Sequence, residues 1–126
     1  MSFAILGFIA LGGAVGACAR FLVSEICITL FGRGFPIGTL TVNVVGSFIM
    51  GVLIACVENE WLSPYPWKQV IGLGFLGALT TFSTFSMDNV LLMQQGAFFK
   101  MWANVLLNVI LSISAAWIGF HWLIKS

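Results

Sequence analysis

Four apolar runs, interrupted mainly by small or weakly polar residues, cover nearly the whole chain. They fall at roughly residues 3–30, 38–57, 68–95 and 98–123, each meeting the about 20 residues that a helix needs to cross hydrocarbon. Clear punctuation separates them. "FGRGFP" (31–36) ends the first run with Gly and Pro, which break helices and favour turns. "ENEWLSPYPW" (58–67) carries Glu58, Glu60 and two of the three prolines, making it the most water-exposed loop, and "QQGAFFK" (94–100) reads as a tight third turn. The pattern predicts an all-α integral membrane fold, one four-span domain over residues 1–126, and leaves nothing in these residues for a soluble domain. Function is then built from the helices themselves.

The third run departs from plain hydrophobicity. Its centre reads "GFLGALTTFSTFSMDN" (74–89). Gly72, Gly74, Gly77, Thr80 and Thr81 are poor helix formers, so a break is expected near residues 77–81; the alternative is a glycine-rich packing face without one. Backbone leaves helical geometry at membrane depth only where protein or water satisfies the freed groups, and broken membrane helices use exposed carbonyls to hold cations. Beyond the break, Phe82, Phe85, Ser86 and Asn89 follow the i, i+3, i+4, i+7 spacing of one helical face, with Ser83 and Thr84 beside it. Aromatic ring edges carry partial positive charge. Two such edges among hydroxyls suit a small anion better than a fixed cation does, because conduction needs sites weak enough to release the ion.

Two further spans carry polar stripes. Thr39, Asn43 and Ser47 recur every four residues in the second; Asn104, Asn108 and Ser112 do so in the fourth. An amide at membrane depth serves either as interhelical glue, worth about 0.6–2 kcal/mol, or as a pair of N–H donors to a passing ligand. The first span holds Gly12 and Gly16, a small-xxx-small face for close helix approach, followed by Arg20. Arg20 either reaches the interface or backbone carbonyls, or helps an anion to enter. Glu25 lies off its face, so no internal ion pair is implied.

Composition agrees with the span pattern. The chain is 60% apolar and 7% charged, against roughly a quarter charged in soluble domains, and its mean hydropathy is +1.09. A net charge of +1 gives no electrostatic footprint for nucleic acid. Cys18, Cys27 and Cys56 lack CxxC spacing and read as small apolar side chains. Ala17-Cys18-Ala19 imitates a processing site, yet no Lys or Arg precedes it, so the segment reads as a mature span. No catalytic triad, phosphate loop or metal-ligand cluster is present, and His121 beside Trp122 marks an interface. No enzyme is expected. Trp61, Tyr65, Trp67 and Trp122 fall on one membrane side and Trp102 on the other, as interfacial aromatics do. Cations balance: Lys68 and Lys125 on the N-terminal side face Arg33 and Lys100 on the opposite one. Orientation follows the Lys/Arg bias of short loops, so the chain is expected to insert both ways up and to allow an antiparallel homodimer.

"GGAVGACARFLVS", "GTLTVNVVGSF" and "GALTTFSTFS" together resemble the signature stretches of the Fluc (CrcB) family of fluoride channels, over the whole chain in length, span number and motif order. That resemblance implies a dual-topology antiparallel homodimer with two pores in the bacterial plasma (inner) membrane, exporting toxic fluoride passively around a central structural Na+. By the same resemblance the pore asparagine falls on Asn43, the pore phenylalanines on Phe82 and Phe85, and the hydroxyl track on Ser83 and Thr84. Sodium-binding carbonyls fall on Gly77 and Thr80, and the first-span arginine on Arg20. Asp88 stands where a glutamate is usual, Ala78 replaces a glycine, and Asn104 stands where some members place a tyrosine; Asn104 and Ser112 are carried over to the pore. Two other readings compete. A small multidrug-type, proton-coupled transporter needs a carboxylate at mid-depth, whereas Glu25 and Asp88 lie towards span ends, and twelve Phe to one Tyr disfavour a cage for hydrophilic cations. A non-transporting anchor would not need three polar stripes. A topology reporter fused to the C-terminus is expected to register both orientations in one cell population; a strict single orientation contradicts the charge argument.

Overall fold

The first apolar run forms α1 (Phe3–Phe31) in the computed structural model, which describes residues 2–123. The Ser2 hydroxyl accepts the Ile5 amide at 3.4 Å, partnering one of the first-turn N–H groups that a helix leaves free. Gly32 ends the helix at φ 80° and donates its own N–H to Ile28 O at 2.8 Å; the left-handed φ is why glycine stands there. After Pro36 the second run becomes α2 (Ile37–Glu58).

The third run is not one helix. A single turn, α3 (Pro64–Trp67), leads into a π-helical segment (Lys68–Leu76) and then α4 (Gly77–Leu79). Thr80 (φ −82°, ψ 156°) and Thr81 (φ −151°, ψ 119°) are extended. The helix resumes as α5 (Phe82–Gln94), and α6 (Phe98–Leu123) forms the last span. The break expected near residues 77–81 is present and confined to two residues. The third span begins already at Pro64 rather than at residue 68, because the proline turn leads straight into it. The four spans are long and apolar enough to cross a membrane, and no strand occurs among the described residues.

Glycines set how closely the spans approach. α1 lies against the π-helical segment: a Cβ on Gly12 would stand 2.6 Å from Val70 O, and one on Gly16 would overlap Phe75 O. The expected small-xxx-small face is therefore where α1 meets the third span. A second close crossing joins α2 and α6, where a Cβ on Gly51 would overlap Ala116 O and one on Gly119 would overlap Phe48 O. These two glycines sit on different helices and each meets the other helix's backbone, so no spacing along the chain marks the crossing. Between the crossings lies a core of Val42, Leu53, Leu76 and Leu79, flanked by Val23, Ile49 and Phe75.

Much apolar surface faces outward, including Leu11, Val15, Phe21 and Leu22 of α1 and Ile110 and Ile113 of α6. In hydrocarbon such surface costs nothing, and what drives helix association is close packing and polar bonding. Arg33, Lys68 and Lys100 are exposed at span ends, and Lys100 Nζ donates to Gly34 O at 3.1 Å. Lys125, the fourth member of the charge balance, lies outside the described residues. Substituting Gly16→Ala is expected to lower the thermal midpoint of the detergent-solubilised protein by the equivalent of roughly 1–3 kcal/mol. Gly7→Ala, whose Cβ would meet nothing within 4 Å, is expected to raise it slightly through helix propensity. Equal effects at the two positions would refute the close approach of α1.

Candidate functional site

Interrupting a helix at Thr80–Thr81 frees carbonyls before the gap and amides after it, and at membrane depth each unpaired group costs several kcal/mol, in order of magnitude. Three spans supply the repairs. From α1, Arg20 Nε donates to Ala78 O at 3.0 Å. From α2, Asn43 Oδ1 accepts the Thr81 N–H at 2.8 Å, while its Nδ2 donates to Thr81 O at 3.2 Å. Asn43 thus pairs with both sides of one residue, as a neighbouring peptide would. The local chain does the rest: Thr81 Oγ1 accepts the Thr84 N–H at 3.2 Å, and Thr80 Oγ1 donates to Leu76 O at 2.9 Å. Among the described residues no donor reaches the carbonyls of Gly77 and Thr80. Gly77 is exposed on the open side of the chain.

The asparagines of the two polar stripes join into one chain. Asn43 Nδ2 also donates to Asn108 Oδ1 at 2.9 Å. Asn108 Nδ2 donates to Asn104 Oδ1 and to Asn104 O, both at 2.9 Å. Asn104 Nδ2 donates to Asn89 Oδ1 at 2.9 Å. Backbone partners settle which way these amides point, since a peptide N–H only donates and a carbonyl only accepts: Thr81 orients Asn43, and Asn104 O orients Asn108. Both amide hydrogens of Asn43 are committed to protein acceptors. The glue role left open for Asn43 is what the geometry displays, and a ligand can use its N–H only by displacing an acceptor.

Two recesses flank this chain. One, of about 360 Å³, is a groove whose walls include Asn43, Ser47, Thr80, Phe82, Phe85 and Ser112. Phe82 is 77% exposed and Phe85 8%; their ring centroids are 5.5 Å apart at an interplanar angle of 51°, one of the tilted arrangements that aromatic pairs favour. Ser112 Oγ is buried there and has no protein partner. The other recess, of about 330 Å³, lies towards the loop after α1 and includes Ser24, Arg33, Thr39, Thr84, Asp88 and Gln95. Asp88 Oδ2 is buried in it without a hydrogen bond. Thr39 and Asn43 are one turn apart on α2, about 6 Å along its axis, and Thr84 adjoins Phe85, so the recesses lie on neighbouring turns of α2 and α5, with no residue lining both.

The remaining expected residues are distributed unevenly. Ser83 is exposed and lines neither recess, its hydroxyl 3.5 Å from Thr81 Oγ1. Ser86 is engaged within α5, donating to Phe82 O at 2.9 Å. Asn104 is completely buried inside the amide chain rather than on a groove wall. Arg20 is bound to the broken span rather than reaching out to the interface. The Asn104–Asn89 bond was not legible. Buried amides are known to need partners, but which pairs with which depends on how α5 and α6 lie.

Comparison with known proteins places this geometry in context. Residues 7–120 match the family described as "CrcB-like protein, Camphor Resistance (CrcB)". The chain is 98% identical over 126 residues, covering 100% of both chains, to a protein named "Fluoride-specific ion channel FluC" from Vibrio cholerae serotype O1 (strain ATCC 39541 / Classical Ogawa 395 / O395). Relatives of the same name are 81% identical in Vibrio parahaemolyticus serotype O3:K6 (strain RIMD 2210633) and 62% identical in Photobacterium profundum, each over 124 residues and 98% of both chains. These relatives are named as ion channels, which are not enzymes.

Replacing Asn43→Asp keeps an acceptor for the Thr81 N–H but removes both donated bonds and adds a charge at a half-buried position. The expected loss is roughly 2–5 kcal/mol of stability, read as a lower thermal midpoint in detergent. An unchanged midpoint would mean that Asn43 does not hold the break.

Proposed function

Because the chain belongs to the CrcB family, we propose that it is a fluoride-selective channel that exports fluoride passively and so relieves its toxicity. The observation that carries the reading beyond family membership is the groove itself. Neutral polar side chains and aromatic rings line it, at Asn43, Ser112, Phe82 and Phe85, without a Lys or Arg on its wall. A small anion leaving water needs substitute donors, and a lining without full charges keeps the ion from being trapped.

The route begins at the recess beside Thr39 and Thr84, passes Asn43 and Phe85, and follows the groove along Phe82 and Ser112. Ser112, whose hydroxyl is unclaimed by protein, offers a donor without displacing any existing bond. Asn43 meets the ion by exchange: fluoride, a strong acceptor, takes an N–H that otherwise goes to Asn108 Oδ1 or Thr81 O. Asp88 stands at the mouth of the route, on the wall of the first recess, and Arg20 acts on it indirectly by holding Ala78.

The working unit is an antiparallel, dual-topology homodimer in the bacterial inner membrane, with two pores. Three features support it: the balance of Lys and Arg between sides, the open flank of the groove, and Phe82 standing 77% exposed on that flank. The carbonyls of Gly77 and Thr80 suit a structural Na+. They are hard oxygen donors freed by the break, and an antiparallel partner brings a second identical pair to the two-fold axis. Sodium there supplies compensation for backbone that the protein leaves unpaired.

Liposomes loaded with fluoride are expected to discharge it when they carry the wild-type protein. Phe82→Ile should slow discharge about tenfold or more, equivalent to ~1.4 kcal/mol of barrier. Exhaustive removal of sodium should abolish flux and loosen the dimer. A wild-type protein that releases no fluoride overturns the reading, and flux indifferent to sodium removes the ion from it.

A further inference from the structure

We propose that Asn89 is a positioning residue that fixes the rotation of α5 about its own axis, and with it the angle at which Phe82 and Phe85 meet the groove. The inference rests on the fluoride-channel reading. Two extended residues, Thr80 and Thr81, separate α5 from α4, so no helical hydrogen-bond ladder transmits the orientation of one to the other. Within one protomer packing constrains α5 weakly: only Phe85 and Leu92 are buried, whereas Phe82, Met87, Val90, Leu91 and Met93 are exposed. Apolar contact is also non-directional, and among lipid tails it does not select one rotation.

Hydrogen bonds do select one, and those reaching α5 from other helices are few. The Thr84 amide and the Ser86 hydroxyl are satisfied within the segment itself. Among the described residues the outward bonds of full hydrogen-bond geometry are Asn43 to Thr81 at the start and Asn104 to Asn89 further along, with the Thr39 side chain of α2 in looser polar contact with Asp88. These points are eight residues apart, about 12 Å along the axis. A helix held only at its first residue swivels; a second point off the axis stops the swivel. With side chains reaching about 5–6 Å from the axis, a rotation of roughly 30° would carry a ring by about 3 Å, enough to remove it from a wall that an unhydrated ion must touch. The anchor is itself rigid. Asn104 is completely buried, and its oxygen is held by Asn108 Nδ2 at 2.9 Å. The chain Thr81–Asn43–Asn108–Asn104–Asn89 leaves α5 at its start and returns to it two turns on, bracketing the stretch of α5 that carries the aromatic pair.

The contrary view is that Asn89 merely satisfies the buried Asn104 N–H. Single-channel fluoride conductance separates the two, because unit conductance does not depend on how much protein folds. Asn89→Leu, close to Asn in size and without the acceptor, is expected to lower unit conductance about tenfold or more. Adding Asn104→Leu removes the orphaned donor but restores no second point of attachment, so conductance should stay low. An unchanged conductance in Asn89→Leu overturns the proposal, and so does recovery in the double variant. Should leucine at 89 prevent folding, Asn89→Gln is read instead: it keeps the amide but displaces it by one methylene, and wild-type conductance there is equally fatal. A wild-type channel that carries no fluoride current condemns the functional reading and this inference together, an outcome distinct from a conducting wild type with unaffected variants.

Discussion

Backbone polarity in a medium without water governs this structure. Two residues, Thr80 and Thr81, leave helical geometry inside a membrane span, and the groups they free cannot turn to solvent. The surrounding helices answer that constraint one by one. Arg20 from α1 takes Ala78 O, and Asn43 from α2 takes both the N–H and the carbonyl of Thr81. An arginine and an asparagine that are unfavourable alone in hydrocarbon become tolerable because the break supplies their partners. The break in turn is tolerated at membrane depth because they are there. Removing either side of the exchange leaves the other unpaired.

This exchange also organises the helices. Donors short enough to reach a broken span require close approach, and glycines at Gly12, Gly16, Gly51 and Gly119 permit it by letting backbone meet backbone. The core of Val42, Leu53, Leu76 and Leu79 fills what remains. Polar bonding and close packing therefore cooperate. Neither the amide chain nor the glycine crossings would form at a wider spacing.

The lining that results has a consistent chemical character. Amides, hydroxyls and tilted aromatic rings surround the groove, while the cations of the described residues stand at span ends or, as Arg20, are engaged with backbone. In the proposed channel, selectivity follows from demanding that an ion exchange water for neutral donors of fixed direction. The amide directions are fixed because backbone groups at Thr81 and Asn104 dictate them. Adaptable donors would accommodate larger ions.

How much of this was readable along the chain depends on whether the signal is local. The span pattern, the punctuation of the loops, the small-residue face at Gly12 and Gly16, and the break in the third run follow from hydrophobic length and helix propensity, which act within one segment. Family membership was legible from the ordered motifs of three spans. What only the tertiary structure decided is the pairing: that Arg20 serves Ala78, that Gly51 meets the Ala116 backbone and Gly119 the Phe48 backbone, and that four asparagines on three helices form one directed chain ending at Asn89. Spacing places a side chain on a helical face. It does not say which residue of another helix stands opposite, because that depends on the crossing distances and rotations of all the spans at once.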